Sequence, residues 1–169
     1  MSITPVSNTG YFFNVGNSIL DSLVNALNCN GLDVPDRRFV GFEEPPQDCC
    51  PDLVLWISNI RPWDGDFPDT RNNGRLLCTN AYAFDVTVRI GRCYLDYLED
   101  GAMPEQDIED QSKIMYADAT ALYMGWVAQW RSGNVTELNN YEAVTVGTLT
   151  SYTEGACGGW QFTITVSTI

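Results

Sequence analysis

The residues able to do chemistry in this chain are six cysteines and 22 acids, and no histidine accompanies them. That absence removes Ser-His and Cys-His nucleophilic sites, histidine metal sites and the commonest general base. Cys49, Cys50, Cys78 and Cys93 could be weighed as a four-cysteine zinc site, but zinc ligands usually come as C-x2-C pairs, and an adjacent pair presents its sulfurs poorly. Together with Cys29 and Cys157 they are expected as free, metal-free thiols, because a chain with its own core and no leader does not need disulfides. Carboxylate-only chemistry, such as the paired acids of glycosidases, survives in principle. Seven acids and no base lie between Asp96 and Asp110. Part of that run falls at a helix start, where negative charge meets the positive end of the dipole. No catalytic residue, cofactor or metal ligand is expected, and the chain reads as a non-enzyme.

The formal net charge of −13 sets 22 acids against nine bases, of which only Lys113 is lysine. Such a surface repels phosphate, so nucleic-acid binding through backbone neutralisation is disfavoured, whereas passive DNA passage or DNA mimicry is not. An acidic DNA-mimic inhibitor would need acids spaced like phosphates along one face; here they concentrate at helix starts and loops. At 169 residues and 44% apolar content the chain fits one domain with a sizeable core, residues 1–169. Its longest apolar runs, such as Leu53 to Ile57, fall far short of a membrane helix, so no membrane partner is expected and the chain reads as soluble and unexported.

The elements that must position these residues follow from periodicity. Residues 1–16, broken by Pro5 and Gly10, read as an extended arm. From Ser18 the pattern turns helical, with Ile19, Leu23, Ala26 and Leu27 on one face and Gly31 as a stop. A small strand spans Arg38 to Phe42. Leu53 to Ile57, carrying Trp56, suits a strand buried on both faces in the middle of a sheet. Phe84, Val86, Val88 and Ile90 alternate with Asp85, Thr87 and Arg89, which predicts a strand with one wet face, partnered by the Leu53 strand. Pro104 suits the first position of a long helix whose stripe runs Ile108, Met115, Leu122, Trp126 and Trp130 before Gly133. Gly125 within it predicts close packing on a neighbour. Val144, Val146 and Thr148, then Trp160, Phe162, Ile164 and Val166, predict an antiparallel hairpin closed by a loop holding Gly155, Gly158 and Gly159. The sum is an α+β fold, a mixed, mostly antiparallel sheet of about four to five strands with two helices on one face.

Gly155-Ala156-Cys157-Gly158-Gly159-Trp160, followed by Gln161 to Val166, resembles the C-terminal signature of tail terminator proteins from long-tailed actinobacteriophages. Cys49-Cys50 before an apolar strand, Cys78 before the next and Arg92-Cys93 at its end resemble the same family's cysteine pattern, in order. The resemblance covers Cys49 to Val166. It departs at Ser151-Tyr152-Thr153-Glu154 and at Tyr94-Leu95, where Pro-rich or Gly-rich turns would be expected. The resemblance implies a structural virion protein of the tail's neck region, assembled in the host cytoplasm. Such a protein forms a homo-oligomeric, hexameric ring on the head-proximal end of the tail tube. Its partners would be the tail tube protein and a head-closure or neck protein, with genomic DNA passing through unbound. A neighbouring head-tail connector, a head-closure or stopper ring, is the alternative. Candidate contact surfaces are the long loop containing Arg61, Trp63, Asp64, Asp66 and Phe67, and the hairpin tip at Glu154 and Gly155, because both combine exposure with groups able to anchor a partner.

Overall fold

A computed structural model describes residues 11–45, 51–62, 82–93, 104–135, 138–139, 141, 143–154 and 157–167. The chain runs α1 (Tyr11–Cys29), β1 (Arg37–Gly41), β2 (Asp52–Pro62), β3 (Tyr82–Cys93), α2 (Glu105–Ala119), a π-helical turn (Thr120–Gly125), α3 (Trp126–Arg131), β4 (Ala143–Val146), β5 (Thr150–Glu154) and β6 (Cys157–Ser167). The strands form one six-stranded sheet in the order β1-β2-β3-β6-β4, with β5 also on β6. Only β1 and β2 run parallel; β2-β3, β3-β6, β4-β6 and β5-β6 are antiparallel. The expected α+β fold is therefore present, with six strands where four to five were expected.

The alternation read from the sequence decides which face the helices cover. Leu53 and Leu55 of β2, Phe84, Val86, Val88 and Ile90 of β3, and Phe162, Ile164 and Val166 of β6 share one core with Ile19, Leu23 and Leu27 of α1 and Leu122 and Trp126 of the long helix. The registers Leu55↔Val88 and Val88↔Phe162 keep these residues on one side, so both helices lie on that side. Trp126 Nε1 donates to Ser22 Oγ at 2.5 Å, tying the long helix to α1 within the core. Gly125 faces Ala26 and Asn30, but a Cβ there would meet them at 3.9 Å and 3.5 Å, ordinary contact, so the close packing expected at this glycine is not found.

Four further expectations are corrected. The arm assigned to residues 1–16 gives way at Tyr11, where α1 already begins; residues 1–10 lie outside the described set. Phe12 packs edge-on against Phe84 at 5.0 Å, and Gly16 lets β1 approach, since a Cβ there would sit 2.7 Å from Val40 Cγ1. Second, Gly158 and Gly159 belong to β6 instead of a loop, and the segment leading to them is itself a strand, β5. Strands β4 and β5 follow one another along the same edge of β6. Residues 147–149 oppose only 162–163 between the pairs Val146↔Ile164 and Thr150↔Gln161, so they form a bulge. Third, Thr87 and Arg89 are buried: Arg89 is bonded by the segment through Glu44 and Pro45, and Thr87 lies between Ser58 and Thr163 of the neighbouring strands. Fourth, Ile108 is 48% exposed; the first turns of α2 bury little, and only Met115 and Asp118 are buried along it. Pro104 caps α2 from just outside, with Glu105 and Asp107 in the first turn. Leu122 and Trp126 are buried as the stripe requires, and Gly133, at φ 74°, ends the helix.

Candidate functional site: the face of the sheet without helices

The side of the sheet away from the helices carries a polar ladder at one end and a buried ionic cluster at the other. Asp85 is the hub of the ladder. Its Oδ2 accepts from Arg61 Nη1 at 2.8 Å and from Asn59 Nδ2 at 3.4 Å, while Oδ1 accepts from Thr165 Oγ1 at 2.6 Å. Thr87 Oγ1 donates to Ser58 Oγ at 3.0 Å and lies 3.4 Å from Thr163 Oγ1. A β-bulge between Ile57 and Asn59 turns Ser58 towards this network. Three strands thus present hydroxyl, amide and carboxylate groups side by side.

At the other end Arg89 is fully buried. Its Nη2 donates to Asp52 Oδ2 at 3.3 Å and to the Pro45 carbonyl at 3.2 Å, and its Nη1 reaches Glu44 Oε1 at 3.5 Å. The guanidinium stands over the rings of Trp56 and Tyr152 at 5.6 and 5.9 Å. Gly91 leaves room for Asp52 and the Tyr152 hydroxyl; a Cβ there would be 2.5 Å and 2.7 Å from them. The Tyr152 hydroxyl donates to the Ile90 carbonyl at 3.3 Å. A second ionic cluster lies beyond the strand end. Arg92 donates from Nε and Nη2 to both oxygens of the buried Asp118 and from Nη2 to the Asp33 carbonyl, each at 2.7 Å, joining β3, α2 and the segment after α1.

Of the carboxylates on this face, Asp52 and Glu44 share Arg89, whereas Asp52 and Asp85 stand far apart. Asp52 pairs across from Gly91 and Asp85 lies six residues away on β3, roughly 20 Å along a strand, well beyond the separation a glycosidase pair uses. Each is also bonded to an arginine. Among the described residues no cluster of three or more metal-ligating side chains occurs, and no helix is long and apolar enough to cross a membrane. Cys93 stands opposite Cys157 in the β3-β6 ladder, both as thiols, as is the exposed Cys29; Cys49, Cys50 and Cys78 lie outside the described residues. On α2 the Asp110 carboxyl is held below its usual range by hydrogen bonds from Lys113 and then Gln106.

Of the candidate contact residues, Arg61 is placed at the end of β2, partly buried against Asp85. Glu154 ends β5 opposite Cys157. Trp63, Asp64, Asp66, Phe67 and Gly155 lie outside the described residues. The structure does not bring Arg61 and Glu154 together: Arg61 pairs with Ala83, whereas Glu154 reaches Cys93 through Cys157, at the opposite end of the ladder. Asp52, Asp85 and Arg89 are not among the residues that the sequence marks as sites. The one available signal was a charged pair, Asp85 and Arg89, on alternate positions of an otherwise apolar strand. No protein-family model matches the chain, and no curated protein matches it significantly.

Proposed function

We propose that this protein is a structural virion component, the terminator ring at the head-proximal end of a long-tailed phage's tail tube. It would stop tube polymerisation and join the tail to the neck. Beside the C-terminal resemblance, the observation that carries the reading is the placement of Arg61 and Glu154 at opposite ends of one long ladder. Ala83 and Cys93 bound that ladder ten residues apart, roughly 34 Å of strand. A ring set between tube and neck must offer a different partner a surface on each side, and a stiff sheet with a contact segment at each end does so. The strong negative charge agrees with passage of DNA through a lumen that does not grip it. The acids of the helix-free face are tied to arginines, which agrees with a scaffold and not with chemistry.

The test mixes the protein with polymerising tube protein from the same phage and follows tube length while decorated ends are counted by electron microscopy. One capped end with growth halted supports the proposal. Decoration along the sides, or binding to neck proteins alone, favours a head-closure or stopper ring.

A further inference from the structure

The end of the β3-β6 ladder away from Asp85 carries two thiols in register. Cys93 is the last residue of β3, Cys157 is the first of β6, and the two stand directly opposite one another. Opposed residues of an antiparallel pair project to the same face of the sheet, here the face without helices, in step with Arg89 and Gly91. Their Cα atoms are about 4.5 or 5.5 Å apart, according to the type of pair, and both separations fall inside the range of about 4.4–6.8 Å that a disulfide spans. Only the Cβ atoms must close, from about 4.5–5.5 Å to about 3.8 Å. The neighbouring rungs leave room for that movement. Arg92 faces Gly158 and Gly91 faces Gly159, so three of these four positions carry no Cβ, and the cysteines form the last rung of the ladder.

Access sets the order of reaction. Cys93 is exposed and Cys157 partly buried, so a reagent from solution reaches Cys93 first. We infer that Cys93 and Cys157 are a modification site, a dithiol that glutathione disulfide oxidises to a cross-strand disulfide. The Cys93 thiolate attacks one sulfur of glutathione disulfide and displaces one glutathione; the Cys157 thiolate then attacks Cys93 Sγ of the mixed disulfide and displaces the second. The two protein thiols lose two electrons and two protons, which end on two molecules of reduced glutathione. The new bond ties β3 to β6 at the rung where β5 also ends, since Glu154 pairs with Cys157. It closes a loop from residue 93 to residue 157 that contains the long helix, β4 and β5, and so removes much of that loop's freedom in the unfolded chain. A reducing compartment keeps both groups as thiols, which makes the staple responsive to redox poise. This chemistry is independent of the tail reading.

The test incubates the whole protein in glutathione buffers of rising oxidised fraction, traps the remaining thiols by alkylation in acid, and maps disulfides by non-reducing digestion and mass spectrometry. Peptides joined through Cys93 and Cys157 are expected in monomeric protein. Both residues lose alkylation together, at a lower oxidised fraction than Cys29, the exposed thiol on α1. Oxidation raises the Tm by roughly 5 °C or more, and dithiothreitol reverses the rise. Cys157→Ser abolishes it and leaves glutathione trapped on Cys93. Should that variant fail to fold, Cys93→Ser, at an exposed position, abolishes the rise without moving the Tm of the reduced protein. Glutathione left on Cys93 of the wild type, disulfides joining either residue to another cysteine or to a second copy, or an unchanged Tm in the linked protein overturns the inference.

Discussion

At Gly159 the backbones of β3 and β6 come so close that a Cβ would run into the carbonyl of Ile90. Gly159→Ala must therefore spread the longest ladder of the sheet. Urea unfolding is expected to show a loss of about 1–3 kcal/mol, the usual cost of overpacking. Arg89 makes a different kind of demand. Its contacts are long, and its Nε is buried with no hydrogen-bond partner, so the pair with Asp52 is a poor source of stability in itself. Its loss would still be costly, because Asp52 is only 3% exposed and would keep a buried charge with no cation beside it. Arg89→Met should cost about 3–5 kcal/mol, and adding Asp52→Asn should recover part of that; an additive double mutant would show that the two groups do not interact. Arg92 cannot be replaced by lysine without loss, since one ammonium cannot reproduce the two parallel bonds to Asp118.

Among the elements, the long helix was legible where its stripe meets the sheet and illegible where it does not. Leu122 and Trp126 are buried on the predicted face, and Leu122→Ala should cost about 2–5 kcal/mol in thermal or chemical unfolding, as for other core leucines. Ile108 carries the same periodicity, but periodicity cannot tell that the sheet offers its turn no cover. The π-helical turn at Thr120–Gly125 leaves no mark in the pattern either, because it shifts the phase only between residues that are apolar anyway. In the strands, the inward faces of β3 and β6 could be read directly from alternation. The reverse face of β3 could not, because Arg89 is bonded by a segment more than forty residues earlier in sequence, at Glu44 and Pro45, and Thr87 is enclosed by Ser58 and Thr163 of two other strands. Strand β5, Ser151-Tyr152-Thr153 flanked by Thr150 and Glu154, has little apolar content, and its pairing with β6 supplies what its side chains do not. The ladder around Asp85 was hidden for a related reason: it is assembled from β2, β3 and β6, and each strand shows only two or three of its polar groups.

For the molecule as a whole, charge gives the simplest expectation. With a formal net charge of −13, duplex DNA should not bind at physiological salt, and a submicromolar complex in a mobility-shift assay would contradict it. The sheet also sets an order of events during synthesis. Strand β3 pairs with β6 from Ala83↔Ser167 to Cys93↔Cys157, so its long edge waits for residues made more than sixty positions later. Strands β4 and β5 wait for the same partner. A nascent chain that has reached only β5 holds its apolar strands without the one that joins them, and such non-local pairing is slow to form and prone to aggregate in the interval. The chain is most vulnerable until β6 is made and paired, and co-expression with a holdase chaperone should raise the soluble yield more than lowering the salt.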